Sequence, residues 1–145
     1  MRIGELAKRG NCKVETVRFY EREGLIEAPA RETNGYRHYS ERHVMQLNFI
    51  RHCRSLDMGL PDVHVLRRLQ ANPALGCDDI NGLIDQQIGR IHQQMESLRR
   101  LEQQLNSLRE TCTTEHTSDE CGIMRTLAKA AAGDDCSCHP GYSAR

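Results

Sequence analysis

Cys77, Ile84, Ile91, Leu98, Leu105 and Cys112 follow one another at a strict interval of seven residues through the middle of the 145-residue chain. An interval of seven keeps a helix on one face, so this stretch reads as the seam of a coiled coil with a thiol at each end. Leu83, Ile88, Met95, Leu101 and Leu108 widen the stripe, while Gln86, Gln87, Gln93, Arg99, Arg100 and Gln104 suit a solvated face. At about 1.5 Å per residue the helix runs about 52 Å from one thiol to the other. Left alone, such a helix would hold its seam in water. It needs a partner.

The direction of pairing decides what the thiols can do. In a parallel dimer each cysteine meets its own copy, at opposite ends. In an antiparallel dimer centred near Met95, Cys77 of one copy faces Cys112 of the other. Cys121 follows Cys112 by nine residues across a polar loop, so it can fold back to the same place. Antiparallel pairing then gathers three thiols at each end. Against this stands a plainer reading, in which Cys77 and Cys112 are small buried seam residues. The spacing by itself leaves both open.

Seven cysteines in a chain with no secretory leader and no apolar run long enough for a bilayer point to a cytoplasmic protein with metal or redox chemistry. The odd count argues against complete pairing within the chain. Formal net charge is zero, but it is unevenly spread. Residues 1–70 hold 13 Lys+Arg and 9 Asp+Glu, and residues 71–145 hold 7 and 11. A basic head on an acidic arm suits nucleic acid at one end and a cation at the other. No nucleophile–base pairing or cofactor loop suggests an enzyme.

Residues 3–9 read as a short helix stopped by Gly10-Asn11, and Val14–Glu23 as a second. Two short helices around a tight turn make a helix-turn-helix, whose second helix enters the major groove. Cys12, in the turn, suits packing better than ligation. Gly24 ends the second helix and Leu25-Ile26 begins an extended stretch. Asn34-Gly35 is a strong hairpin signal followed by the alternating Tyr36-Arg37-His38-Tyr39, which predicts a wing with Arg31, Tyr36, Arg37 and Tyr39 on DNA phosphates. Ser40 caps a helix running to about Leu56, with Val44, Leu47, Phe49, Ile50 and Cys53 inward. Asp57-Met58-Gly59 breaks the chain, and Pro61 opens a helix ending around Asn72-Pro73. His38, His43, His52 and His64 lack ligand spacing and read as surface or phosphate-facing residues.

Ile3-Gly4-Glu5-Leu6-Ala7, Val14-Glu15-Thr16-Val17-Arg18-Phe19-Tyr20-Glu21, Gly24-Leu25 and Tyr36-Arg37-His38-Tyr39 together resemble the MerR family of transcriptional regulators. The run Phe49-Ile50-Arg51-His52-Cys53-Arg54-Ser55-Leu56-Asp57-Met58 is similar to its cadmium- and lead-responsive branch. The resemblance covers about residues 1–128. It implies a mainly α fold, with a winged helix-turn-helix DNA-binding head (1–72) and a long antiparallel coiled-coil dimerisation helix (76–112). A metal-binding loop with a short capping helix (113–132) and a flexible Cys-containing tail (133–145) complete the expectation. Carried over residue by residue, the family's metal thiols fall on Cys77, Cys112 and Cys121. Its DNA contacts fall on Thr16, Arg18 and Tyr20 of the second helix and on Tyr36, Arg37 and Tyr39 of the wing. The implied partners are promoter DNA, RNA polymerase and a second copy of the chain, with no membrane. The large carboxy-terminal drug-binding domain and the four-cysteine iron–sulfur cluster of other branches have no counterpart in this sequence.

Three thiolates select a soft metal. Structural zinc(II) wants four ligands, so His116 or water would have to supply one. Lead(II) accepts three thiolates in a pyramid, mercury(II) three in a plane, and cadmium(II) three with a light donor. Ligand count demotes zinc but does not separate lead, cadmium and mercury; the resemblance to the cadmium- and lead-responsive branch implies lead or cadmium first, with mercury and zinc as alternatives. In the tail, Cys136, Cys138 and His139 have the composition of a second soft-metal site, though exposed thiols on a terminus are commoner. A thiol redox sensor using Cys112 and Cys121, and a metal-storage protein that ignores DNA, are the rival readings.

Overall fold

The computed structural model describes residues 1–74, 76–112 and 120–133. His116 and the tail residues Cys136, Cys138 and His139 lie outside them. Among the described residues the elements are α1 (Ile3–Arg9), α2 (Val14–Arg22), β1 (Ala30–Arg31), β2 (Arg37–His38), α3 (Glu41–Ser55), α4 (Leu60–Ala71), α5 (Asp78–Glu110) and α6 (Gly122–Ala131). The chain divides into two compact units, residues 1–87 and 88–145.

In the first unit, α1 and α2 form the expected helix-turn-helix, and the two residues of the turn do different jobs. Gly10 keeps ordinary helical angles, and its N–H reaches Leu6 O at 2.8 Å. It is glycine because a Cβ there would stand 2.7 Å from Leu47 Cδ1 of α3. Asn11 takes the left-handed conformation, at φ 49°, where its short polar side chain is tolerated.

The wing is a two-stranded antiparallel ribbon pairing Ala30 with His38 and Arg31 with Arg37. Its turn is closed by Gly35 at φ 81° and by Asn34, whose Oδ1 accepts the Tyr36 N–H at 3.0 Å. Tyr39 ends the ribbon against the amino terminus: its N–H donates to Met1 O at 2.9 Å, and the Met1 amino group donates to Tyr39 O at 2.7 Å.

Ser40 begins α3 as expected, but His43 takes the place that Glu or Gln fills in a capping box. Its Nδ1 accepts the Ser40 N–H at 3.0 Å. His43 is therefore buried, not phosphate-facing. A bidentate ion pair from Arg9 to Glu41 holds α1 to the start of α3. Leu60, not Pro61, opens α4, with Pro61 in its second position.

The core of this unit joins Leu6 and Val17 of the helix-turn-helix to Leu25, Ile26 and Tyr39 around the wing. Val44, Leu47, Ile50, Cys53, Met58 and Val63 of the α3–α4 region complete it, with Leu83 of α5. Gln87 is buried with them and donates Nε2 to Leu56 O at 2.9 Å, so it leaves the solvated face to which its spacing assigned it.

The long helix is continuous over 33 residues, about 50 Å at about 1.5 Å per residue. Along it Ile84, Ile88, Met95, Leu98, Leu101 and Leu105 are exposed, as are Met124 and Leu127 on α6. No helix among the described residues is long and apolar enough to cross a membrane.

Candidate functional site

The residues expected to touch DNA divide into four groups. Arg18 on α2 and Tyr36 and Arg37 in the wing line one hollow of about 210 Å³, with Arg2 and Gly35 on its other walls. Thr16 and Tyr20 line a separate hollow of about 140 Å³ beside Cys12, Arg51 and Arg54. Arg31 lies exposed on β1, lining neither. Tyr39, the fourth case, corrects the sequence expectation. It is completely buried, and its hydroxyl donates to Glu21 Oε2 at 3.0 Å, so it has no surface to offer a phosphate.

Tyr20 is also half-buried: it packs on the core, with its ring 5.8 Å from that of Phe19. Arg18 and Arg37 remain exposed, and Arg37 Nε reaches Glu21 Oε1 at 3.3 Å. The Glu21 carboxylate thus takes both Tyr39 and Arg37, joining the wing to α2. Arg2, Arg51 and Arg54 escaped the sequence reading, since nothing local marks them. Their place beside α2 and the wing depends on contacts distant in sequence.

Cys77 stands immediately before α5 and is exposed. At the other end of that helix, Cys112 and Cys121, nine positions apart, are hydrogen-bonded to one another. Cys121 is the N-cap residue of α6. The Met124 and Ile123 amide N–H groups pull its thiol below the ordinary range, with help from the Cys112 hydrogen bond. Cys112, which gives that bond, is pushed up, and partial burial adds to the effect. Of the two, Cys121 is the thiol that gives up its proton more readily.

Close packing sets the pair. A Cβ on Gly122 would overlap the Thr111 carbonyl, so only glycine lets α6 start this near the end of α5. Two thiols make no closed site, and among the described residues no three His, Cys, Asp or Glu side chains of one chain gather as a metal cluster.

Comparison with known proteins shows the family of the chain. Residues 1–70 match the MerR HTH family regulatory protein model, and residues 44–108 match the MerR DNA-binding model. The chain is 38% identical over 110 residues to a ZntR homologue, an HTH-type transcriptional regulator of Haemophilus influenzae, covering 76% of this chain and 82% of that one. It is similar in structure to the transcription regulator PbrR691 of Ralstonia metallidurans CH34 in complex with lead(II), with a TM-score of 0.77 and 47% identity over 88% of this chain and 98% of that one. It is also similar to the MerR regulator of Bacillus megaterium MB1 in complex with mercury(II), with a TM-score of 0.68 and 34% identity over 89% and 100%.

Proposed function

This chain belongs to the MerR family of helix-turn-helix regulatory proteins, and we propose that it regulates transcription in response to a soft divalent metal ion, lead(II) or cadmium(II) first. The observation that carries this reading is the contact between Cys112 and Cys121. It supplies two of three thiolates. Exposed Cys77 is the third, presented by a second copy whose α5 runs antiparallel. The apolar residues exposed along α5 are the face such a copy would cover. Lead ranks high because the relative that shares 47% of its residues was captured with lead(II). The mercury(II)-bound relative keeps mercury as the alternative, and zinc(II) ranks lower for want of a fourth ligand.

In this reading residues 1–72 read DNA, 76–112 pair two copies in the cytoplasm, 113–132 complete the metal site and 133–145 form a tail. Each head takes half of a two-fold promoter site, with α2 in the major groove and the wing on the backbone. The bound metal supplies a charge that three thiolates can share. Cys77 of one copy, held to Cys112 and Cys121 of the other, ties together opposite ends of two long helices. A change in their angle is passed to the heads and deforms the DNA between the half-sites, where RNA polymerase must open it.

Promoter-driven transcription in a purified system, titrated with lead(II), cadmium(II), mercury(II) and zinc(II), is the test. Induction at the lowest concentration by lead or cadmium is expected. Transcription that no metal alters would overturn the reading. The Cys112–Cys121 contact also favours a second reading, a thiol sensor that forms a disulfide. Its mark is a response to oxidant without metal that Cys121→Ser abolishes and Cys77→Ser leaves intact.

A further inference from the structure

The hollow between α2 and the wing holds three guanidinium groups, Arg2, Arg18 and Arg37, and no carboxylate lines it. Glu21 on Arg37 and the charge of Glu32 near Arg2 offset part of this positive charge from outside the hollow, and the three guanidiniums together still favour an anion within it. At about 210 Å³ the space is smaller than the roughly 300–1,000 Å³ of small-molecule pockets, and suits a single compact anion. Arg2 is not a loose surface residue. Its guanidinium lies 4.4 Å from the centroid of the Tyr36 ring, a cation–π distance, and Tyr36 itself is 58% exposed at the wing tip. Arg37 is oriented from the other side by its Nε bond to Glu21. A planar guanidinium laid on a ring keeps its donor edge pointed outward, which a lysine would not do as well.

We propose that Arg2 is a further phosphate-contacting residue, held over Tyr36 so that it, Arg18 and Arg37 grip one backbone phosphate of duplex DNA. The inference rests on the DNA-binding reading given above and adds to it a residue and a site. Because the Arg2 carbonyl, not its side chain, accepts the Glu5 and Leu6 N–H groups that begin α1, the side chain can be changed without unmaking the helix.

The test uses the full chain and a duplex that the wild-type chain selects from a random-sequence pool. Binding is followed by fluorescence anisotropy across a range of salt. Arg2→Ala should weaken binding about tenfold and make the salt slope shallower by about one unit per half-site, the signature of one lost phosphate contact. Arg2→Lys should keep the slope and lose less affinity. In the wild-type complex, a neutral methylphosphonate scanned along the backbone should find one phosphate per half-site whose replacement matters much less once Arg2 is alanine.

An Arg2→Ala slope equal to wild type, or a methylphosphonate scan in which no phosphate loses its effect, overturns the proposal and leaves DNA binding standing. A wild-type chain that selects no duplex overturns both. Should Arg2→Ala fold poorly, Arg2→Gln, neutral and nearer in length, takes its place in both the salt titration and the methylphosphonate scan, and the same outcomes decide.

Discussion

The Tyr39 hydroxyl donates to Glu21 across 3.0 Å, joining the end of the wing to the second helix from inside the head. The same carboxylate accepts Arg37 from outside. A buried phenol and an exposed guanidinium therefore share one anchor, and Tyr39, expected on a phosphate, instead helps to fix the carboxylate that holds Arg37.

Tyr39→Phe should accordingly cost about 1 kcal/mol of stability, the net worth of one hydrogen bond, and leave the salt slope of DNA binding unchanged. The alkaline limb gives a sharper readout. Burial, and then the Glu21 bond and charge, push the Tyr39 hydroxyl up to about 12 from its ordinary 10. The folded chain favours the neutral phenol, so this contribution is complete below pH 10 and is lost as pH rises through about 12. Urea melts between those values should show a decline in the wild type that is missing from Tyr39→Phe.

Gly10→Ala tests the close approach of the turn to α3. The new Cβ would stand 2.7 Å from Leu47 Cδ1 and 3.2 Å from Leu47 Cβ, so the side chain must move. A loss of about 1–3 kcal/mol is expected from overpacking. Adding Leu47→Ala should make the two changes non-additive in a double-mutant cycle, because the second removes what the first collides with. Strict additivity would place the strain elsewhere.

Gly122→Ala should separate the two activities. Its Cβ would overlap the Thr111 carbonyl, a backbone atom that has no rotamer to escape into. Forcing α6 away from the end of α5 parts Cys112 from Cys121 and should weaken metal binding by about tenfold or more, the scale on which lost support for metal ligands is felt. DNA binding without metal should be untouched. Isothermal titration with lead(II) beside DNA anisotropy checks both. Unchanged metal affinity would show that the pair does not depend on this contact.

The arrangement across two copies is tested by mixing variants. Cys77 and Cys112 bracket a helix about 50 Å long, too far to share one ion within a chain. Cys77→Ser and Cys112→Ser homodimers should each lose their sites. In their heterodimer, one end joins Cys77 of the second chain to Cys112 and Cys121 of the first and is whole, so one metal should bind tightly. Mixing Cys112→Ser with Cys121→Ser rescues nothing, because both thiols at each end come from the same chain. Isothermal titration on tagged, purified heterodimers distinguishes the outcomes. No recovered site in the first mixture, or a recovered site in the control, ends the cross-chain arrangement.

Local signals carried most of the fold. Gly10-Asn11, Ser40, Asn34-Gly35 and the interval of seven each act within a few residues, and each marks the turn, cap, hairpin or helix it predicts. What the sequence hid is settled at a distance. Tyr39 alternates with Tyr36 as a strand residue should, but its burial depends on Glu21, 18 positions away. His43 resembles any surface histidine until its ring closes the box at Ser40. Gln87 belongs to the polar side of a coiled-coil seam, yet it faces the carbonyl of Leu56, 31 positions earlier. The Cys112–Cys121 contact was legible because they are only nine positions apart. The Arg2–Tyr36 contact was not, because they are 34 positions apart.

In the proposed antiparallel dimer, the apolar row on α5 ties the survival of each copy to the supply of others. Met95, Leu98, Leu101 and Leu105 are each more than half exposed in a single chain. A row of that kind is open to proteases and to stray hydrophobic contacts. Dilution strips it bare, and mass action covers it again as copies accumulate, so measured stability should climb with protein concentration. A freshly made chain is thus at its most vulnerable when it is scarce, and a cell that holds few copies keeps them only by letting them find one another early.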